Sequence, residues 1–148
     1  MSECRVIPFQ QEYLEKILEI EKECFPPLEQ FDCSVFYWYL SLNPFFYLAE
    51  CRSEIAGYIL GVLENDGSCH IVSIAVKEKW RRRRIGSLLL NTLLEECRKH
   101  GAWRAILEVA VDNKPAVNLY LKHGFIVKKI IPRYYSSGRD AFFMEKKL

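Results

Sequence analysis

The chain has 148 residues, 50% of them hydrophobic and 14% aromatic, which suits one domain, residues 1–148, with a sizeable core and excludes bulk disorder. Its formal net charge is +2, from 21 Lys+Arg against 19 Asp+Glu, a smaller basic surplus than a dedicated nucleic-acid protein carries. No apolar run is long enough to cross a bilayer, and "MSECRVIPFQQEYLEKI" brings acids early and lacks the apolar core of a secretory signal, so a cytoplasmic location is expected.

"CRVIPF" reads as a first strand. "QEYLEKILEIEKECF" repeats Leu14, Ile17, Leu18 and Glu21 at helical spacing. "PPLEQ" must end that helix, because proline cannot continue a helix interior. "CSVFYWYLS" is a short aromatic helix. "FFYLAEC", a turn at "RSE" and "IAGYILGVLE" form a hairpin, and "NDG" turns the chain into "CHIVSIAV", a strand rich in β-branched residues. Ile85 to Cys97 is a helix that Gly101 ends. "WRAILEVAV" is a strand, "DNKPAVNLYLKHG" a helix with an N-cap candidate, and "FIVKKIIP" and "DAFFMEKKL" are strands around a turn at "SSG". This order implies an α/β fold with a mixed sheet.

Six cysteines occur, Cys4, Cys24, Cys33, Cys51, Cys69 and Cys97. None forms a C-x-x-C pair, and no Cys/His group has zinc spacing. Free thiols and no bound metal are therefore expected, with disulfides only if the source were a hyperthermophile.

Arg81, Arg82, Arg83 and Arg84 stand in a row between a strand and a helix start. That layout suits an anionic phosphate, because the free N–H groups of a first helical turn point outward and the helix dipole adds positive potential. A solvated basic turn is the plainer alternative. A nucleic-acid patch would need aromatics interleaved with the charge, and only Trp80 is adjacent.

These residues carry a family resemblance. "SIAVKEKWRRRRIGSLLL" resembles the acyl-coenzyme A motif of the GNAT N-acetyltransferase superfamily, Arg/Gln-x-x-Gly-x-Gly/Ala after a strand, with Arg81 in the first position and Gly86 in the last. Arg84 stands where the family has its first glycine, and a positive φ there would cost an arginine something. "LEVAVDNKPAVNLYLKHGF" resembles a second signature at Asn113, Ala116, Leu119, Tyr120, Gly124 and Phe125. "RYYSSGRDAFFMEKKL" and "ECFPPLEQFDCSVFYWYL" resemble the RimI-type ribosomal-protein-alanine and archaeal N-terminal acetyltransferases. The resemblance implies a single-domain GNAT fold, with a mixed, mostly antiparallel sheet of about seven strands and about four helices. It also implies acetyl-CoA as donor and direct transfer, without a cysteine acyl-enzyme, to a protein N-terminal amine.

The resemblance further implies the site. Arg81, Arg82, Arg83, Arg84, Ile85, Gly86 and Ser87 would cradle the diphosphate of the cofactor. Ile74, Ala75 and Val76 would run beside its pantetheine arm, with the Val76 N–H donating to the developing oxyanion. Asn113 resembles a cofactor-contacting asparagine, or else only caps its helix. A free α-amine has a pKa of about 7.7–8.0 and lysine about 10.4, so deprotonation at pH 7 costs about 1 or about 4.6 kcal/mol respectively. A modest base therefore serves an α-amine.

Glu108, a carboxylate inside the apolar "AILEVAV", is the candidate base, or alternatively a structural salt-bridge acid. Tyr120, twelve residues on, is the candidate acid for the leaving thiolate, or alternatively a packed helix tyrosine. Phe25, Pro26, Pro27, Leu28 and Glu29, with Tyr134 and Tyr135, resemble loops that grip a substrate N-terminus, and Pro27 points to an apolar or small first residue. His70 is expected to be an ordinary strand-end polar residue. A lysine or small-amine acetyltransferase, and a catalytically inactive CoA- or protein-binding domain, are the alternatives. No motif specifies an auxiliary subunit or a homodimer.

Overall fold

Residues 3–148, which the computed structural model describes, form seven strands and four helices. In chain order these are β1 (Cys4–Pro8), α1 (Leu14–Cys24), α2 (Cys33–Leu40), β2 (Phe45–Cys51), β3 (Glu54–Leu63), β4 (Ser68–Val76), α3 (Ile85–Lys99), β5 (Arg104–Ala110), α4 (Lys114–Lys122), β6 (Ile126–Ile131) and β7 (Ala141–Lys147). The sheet order is β1-β2-β3-β4-β5-β7-β6. Only β4 and β5 pair in parallel; every other neighbour is antiparallel. The expected mixed, mostly antiparallel sheet with four helices is thus observed, among the described residues.

Local chemistry explains the elements. β3 is buried from Ile55 to Val62, as a strand covered on both faces requires. β2 alternates: Phe46 and Leu48 join the α1/α2 side, while Ala49 and Cys51 join the α3 side. α1 buries Leu14, Ile17, Ile20 and Glu21, a 3.6-residue stripe. It stops at Phe25, which is extended ahead of Pro26 (φ −128°, ψ 148°). Asp32 caps α2 by accepting from the Val35 N–H at 3.1 Å. Arg52 and Ser53, both at positive φ, make the mirror-image turn whose twist fits the β2–β3 hairpin. On α3, Leu89, Leu90 and Leu93 are fully buried, each worth about 1.5–3 kcal/mol relative to exposure.

One irregularity shapes everything that follows. Leu60 faces Ser73 and Gly61 faces Ile71, so Val72 is an extra residue on β4. Such a bulge bends its strand. Pairing between β4 and β5 ends at Ile71–Leu107, although β4 continues to Val76 and β5 to Ala110. Beyond the bulge the two parallel strands are splayed apart.

The expectation of free thiols is overturned for four of the six cysteines. Cys4 is bonded to Cys51 and Cys69 to Cys97, while Cys24 and Cys33 are free. Cys4 and Cys51 are directly opposed on β1 and β2, and Cys69 on β4 meets the buried face of α3 at Cys97. Sequence separations of 47 and 28 residues leave no local spacing pattern, so only sheet register, for the first pair, and strand–helix packing, for the second, bring the sulfurs together.

Candidate active site

The splay leaves backbone groups unpaired by the sheet. The Lys77 N–H donates to the Ala56 carbonyl at 2.8 Å, and Gly57 lies opposite Val76. That makes Gly57–Val76 a non-hydrogen-bonded pair, so the N–H and C=O of Val76 turn away from β3, toward the gap facing β5. The Val76 carbonyl is engaged there by the Cys24 thiol at 3.4 Å and by Arg81 Nε at 3.0 Å. Its N–H is left for whatever enters the gap. A Cβ on Gly57 would lie 2.5 Å from the Ala75 carbonyl, so glycine is required for β3 to sit this close.

The arginine turn follows β4. Arg82 and Arg84 both hold positive φ, 61° and 63°, in the left-handed region that costs an L-residue about 1–2 kcal/mol. Arg84 is the N-cap of α3 and offers no side-chain acceptor, so the first N–H groups of α3, at Ile85, Gly86 and Ser87, face outward uncapped. The four guanidiniums divide. Arg81 turns back to Val76 and Cys24; Arg83 pairs with Glu3 at 2.8 Å and stacks over Trp80 at 5.0 Å. Arg82 and Arg84 make no ion pair among the described residues. Gly86 lets α4 approach, since a Cβ there would meet Leu119 at 3.2 Å.

Glu108 lies on β5 with its side chain 15% exposed, and its Oε1 is 2.7 Å from His70 Nε2. His70 Nδ1 in turn lies 3.4 Å from Glu64, which is 41% exposed. The assignment of His70 as an ordinary strand-end residue is therefore corrected. Burial, the largest single influence, pulls the His70 pKa down, but the hydrogen bond and charge of Glu108, with Glu64 behind it, outweigh burial and leave it above its usual value. Nothing in the sequence points to this pairing, because His70 and Glu108 belong to parallel strands joined through a whole helix.

Tyr120 is buried on α4, edge-on to Phe125 at 5.7 Å. It lines the same gap as Ser73, Ile74, Glu108 and Asn113. Its hydroxyl bonds no other described residue. Burial first, then the neighbouring Tyr135, pushes its pKa far above the ordinary value, so it remains a proton donor at neutral pH. Asn113 does cap α4, accepting from the Ala116 N–H at 3.4 Å, and it also faces the gap.

A wider cavity of about 450 Å³ opens beside Glu108. Leu28, Glu29 and Phe31 line one wall, and Tyr134, Tyr135 and Ser136 the other. Leu28 is 68% exposed. Phe25 and Pro26 lead into the first wall, and Pro27, Leu28 and Glu29 form a single 3₁₀ turn. Tyr134 and Tyr135 meet edge to face at 4.9 Å. Burial, then the nearby Glu108 charge, raises the Tyr134 pKa to about 12. Behind the first wall, buried Glu21 accepts hydrogen bonds from the Tyr58 hydroxyl and from the Phe31 N–H at 3.0 Å, and Tyr58 also meets Ser73 at 2.8 Å. Glu29 does not reach into the cavity alone: Arg139 holds its carboxylate with two hydrogen bonds, at 2.8 and 2.7 Å. Sequence reading missed His70, Arg139 and the Glu21–Tyr58 pair; of these only Glu21 had a signal, its place on the apolar stripe of α1.

No group of His, Cys, Asp and Glu among the described residues could hold a metal ion. No helix among them is long and apolar enough to cross a membrane.

Comparison with known proteins identifies the family and the fold. The model of the acetyltransferase (GNAT) family matches residues 14–125. An uncharacterized N-acetyltransferase of Methanocaldococcus jannaschii is 35% identical over 94% of this chain and 88% of its own. An N-alpha-acetyltransferase of Sulfurisphaera tokodaii is 39% identical over 67% of this chain and 66% of its own. The crystal structure of Ard1 from Thermoplasma volcanium superposes with a TM-score of 0.91 at 25% identity, covering 99% of this chain and 98% of that one.

Proposed function

The chain belongs to the GNAT acetyltransferase family, and from that premise we propose that it transfers acetyl from acetyl-CoA to the N-terminal α-amine of a protein, directly, in a ternary complex. One observation carries the reading. A carboxylate backed by a histidine (Glu108–His70), the unpartnered hydroxyl of Tyr120 and the edge of β4 at Ser73 and Ile74 converge on one gap, whose outer end is walled by Tyr134 and Tyr135. The N-alpha-acetyltransferase relative supports the choice of amine.

The residues present fit a coenzyme A thioester. The outward N–H groups of Ile85, Gly86 and Ser87, with Arg82 and Arg84 beside them, suit a diphosphate. Arg81 contributes by holding the Val76 carbonyl, and Arg83 by tying the turn to Glu3. Ile74, Ala75 and Val76 offer a strand edge to an extended amide arm, and Asn113 faces the same gap. When bound, acetyl-CoA supplies an activated acyl group with a thiol leaving group.

Around it the side chains divide the proton work. Glu108 takes the proton from the incoming ammonium, and a neutral His70 can relieve it at Nε2. The Val76 N–H receives the acyl oxygen as it gains charge. Tyr120 gives its proton to the departing sulfur. Phe25, Pro26, Pro27 and Leu28 on one side, with Tyr134 and Tyr135 on the other, hold the first residues of the peptide. A single carboxylate–imidazole base suits an α-amine, about 1 kcal/mol from neutrality at pH 7, better than a lysine at about 4.6 kcal/mol.

A peptide library offered with acetyl-CoA, followed by thiol release and by mass spectrometric location of the acetyl group, tests the proposal. Acetylation at free N-termini and not in N-blocked, lysine-containing peptides is expected. Transfer to lysine side chains or small amines alone would overturn it.

A further inference from the structure

We propose that Arg139 is a positioning residue that latches the two substrate walls and the head of α4 together, and that by sequestering Glu29 it keeps the peptide slot free of an unpaired negative charge. The inference rests on the reading of this cleft as a peptide-acetylating site.

Arg139 reaches three separate segments. Its Nε and one terminal nitrogen grip the Glu29 carboxylate at 2.8 and 2.7 Å. Its other terminal nitrogen pairs with Asp112, the residue before the α4 cap Asn113. Its own loop carries Tyr134 and Tyr135, closed by Tyr135 N–H to Arg139 O at 3.2 Å and Gly138 N–H to Tyr135 O at 2.8 Å. Ser137 donates a third hydrogen bond from this loop to Glu29. The guanidinium also lies 5.8 Å from the Tyr135 ring.

The chemistry of the pair makes it a latch rather than a surface ion pair. The Glu29 side chain is 3% exposed and Arg139 28%. A two-pronged guanidinium–carboxylate contact fixes orientation as well as distance. Removing one partner leaves a largely buried charge uncompensated. Glu29 lines both the gap and the wider cavity, so a released carboxylate would face the first side chains of the peptide and attract a basic one.

The test compares Arg139→Met, Glu29→Gln and the double variant, each at saturating acetyl-CoA. Misplacement of a reacting group by about 1 Å can cost about a hundredfold, so kcat/KM for an apolar peptide should fall at least about tenfold in Arg139→Met. The KM for acetyl-CoA should not move. Peptides with lysine at the second position should gain relative to apolar ones in Arg139→Met, and that gain should vanish in the double variant. The two losses should be strongly non-additive. Backbone amides of Tyr135 and Gly138 should exchange hydrogen faster, with β3 and β4 unchanged.

Full additivity, or an unchanged peptide preference with wild-type loop exchange, would overturn the proposal. Should Arg139→Met not fold, Arg139→Lys, which keeps the charge and loses the fork, is read by the fall in kcat/KM and by loop exchange, because Glu29 then stays compensated and peptide preference should not change. Should the wild-type protein bind acetyl-CoA yet acetylate no peptide amine, the functional reading fails, and loop exchange alone decides the latch.

Discussion

His70 Nε2 stands 2.7 Å from Glu108 Oε1, across the only parallel strand pair of the sheet among the described residues. The candidate base is therefore a couple whose state depends on the imidazole. Because the His70 pKa is raised by Glu108 and Glu64, the charged couple stabilises the fold below about pH 6.5, the unfolded value, and that increment is lost as pH rises through the higher folded value.

The same titration governs catalysis. Only neutral His70 can accept a proton from Glu108, so kcat should rise through a step above about pH 6.5. Glu108→Gln should lower kcat by about 10²–10⁴-fold with acetyl-CoA binding intact. His70→Gln should abolish the step. A His70→Gln enzyme with the wild-type pH profile would show that the imidazole only packs against the carboxylate.

Tyr120→Phe should lower kcat and leave both KM values near wild type. The loss should shrink with an acyl donor whose thiol is more acidic, since that thiolate departs without a proton. Burial raises the Tyr120 pKa, so wild-type kcat should show no alkaline limb from this group up to about pH 10, the ordinary tyrosine value. A limb near pH 9 that disappears in Tyr120→Phe would contradict the assignment.

The arginine turn should split by side chain. Arg82→Glu with Arg84→Glu should raise the acetyl-CoA KM more than it lowers kcat, because phosphates are bound alike in ground and transition states. Arg83→Ala removes the contact to Glu3 and the stack on Trp80, so it should act mainly on stability. Kinetics at moderate salt beside thermal melts separate the two. Equal KM effects from Arg82 and Arg83 would remove the distinction.

The disulfides predict a mass 4 Da below the fully reduced chain, from two S–S bonds, with Cys24 and Cys33 alone open to alkylation. Loop closure over 28 and 47 residues corresponds to about 3.6 and about 4 kcal/mol in the chain-entropy model. A reductant should therefore lower the melting temperature by several degrees. Alkylation of all six cysteines without reduction would reject both bonds.

The sequence by itself determined what neighbours along the chain decide. Spacing of Leu14, Ile17 and Glu21 specified the buried stripe of α1; Asp112–Pro115 specified the start of α4; the run from Ile74 to Gly86 specified a strand, a basic turn and a helix start, and with them the cofactor half of the candidate site. Each of these rests on dihedral preference, capping or periodicity, which act over a few residues. The positive φ at Arg84 was expected only through the resemblance, from the motif glycine that it replaces. Tertiary structure alone decided the rest. The bulge at Val72 splays β4 from β5 and so creates the gap. Sheet register sets Cys4 on Cys51, and strand–helix packing sets Cys69 on Cys97. Parallel pairing across α3 brings His70 to Glu108, and two distant loops bring Arg139 to Glu29. Those partners are 28 to 110 residues apart, and no local preference encodes a contact that exists only once the sheet has twisted, bulged and closed its loops over the opening.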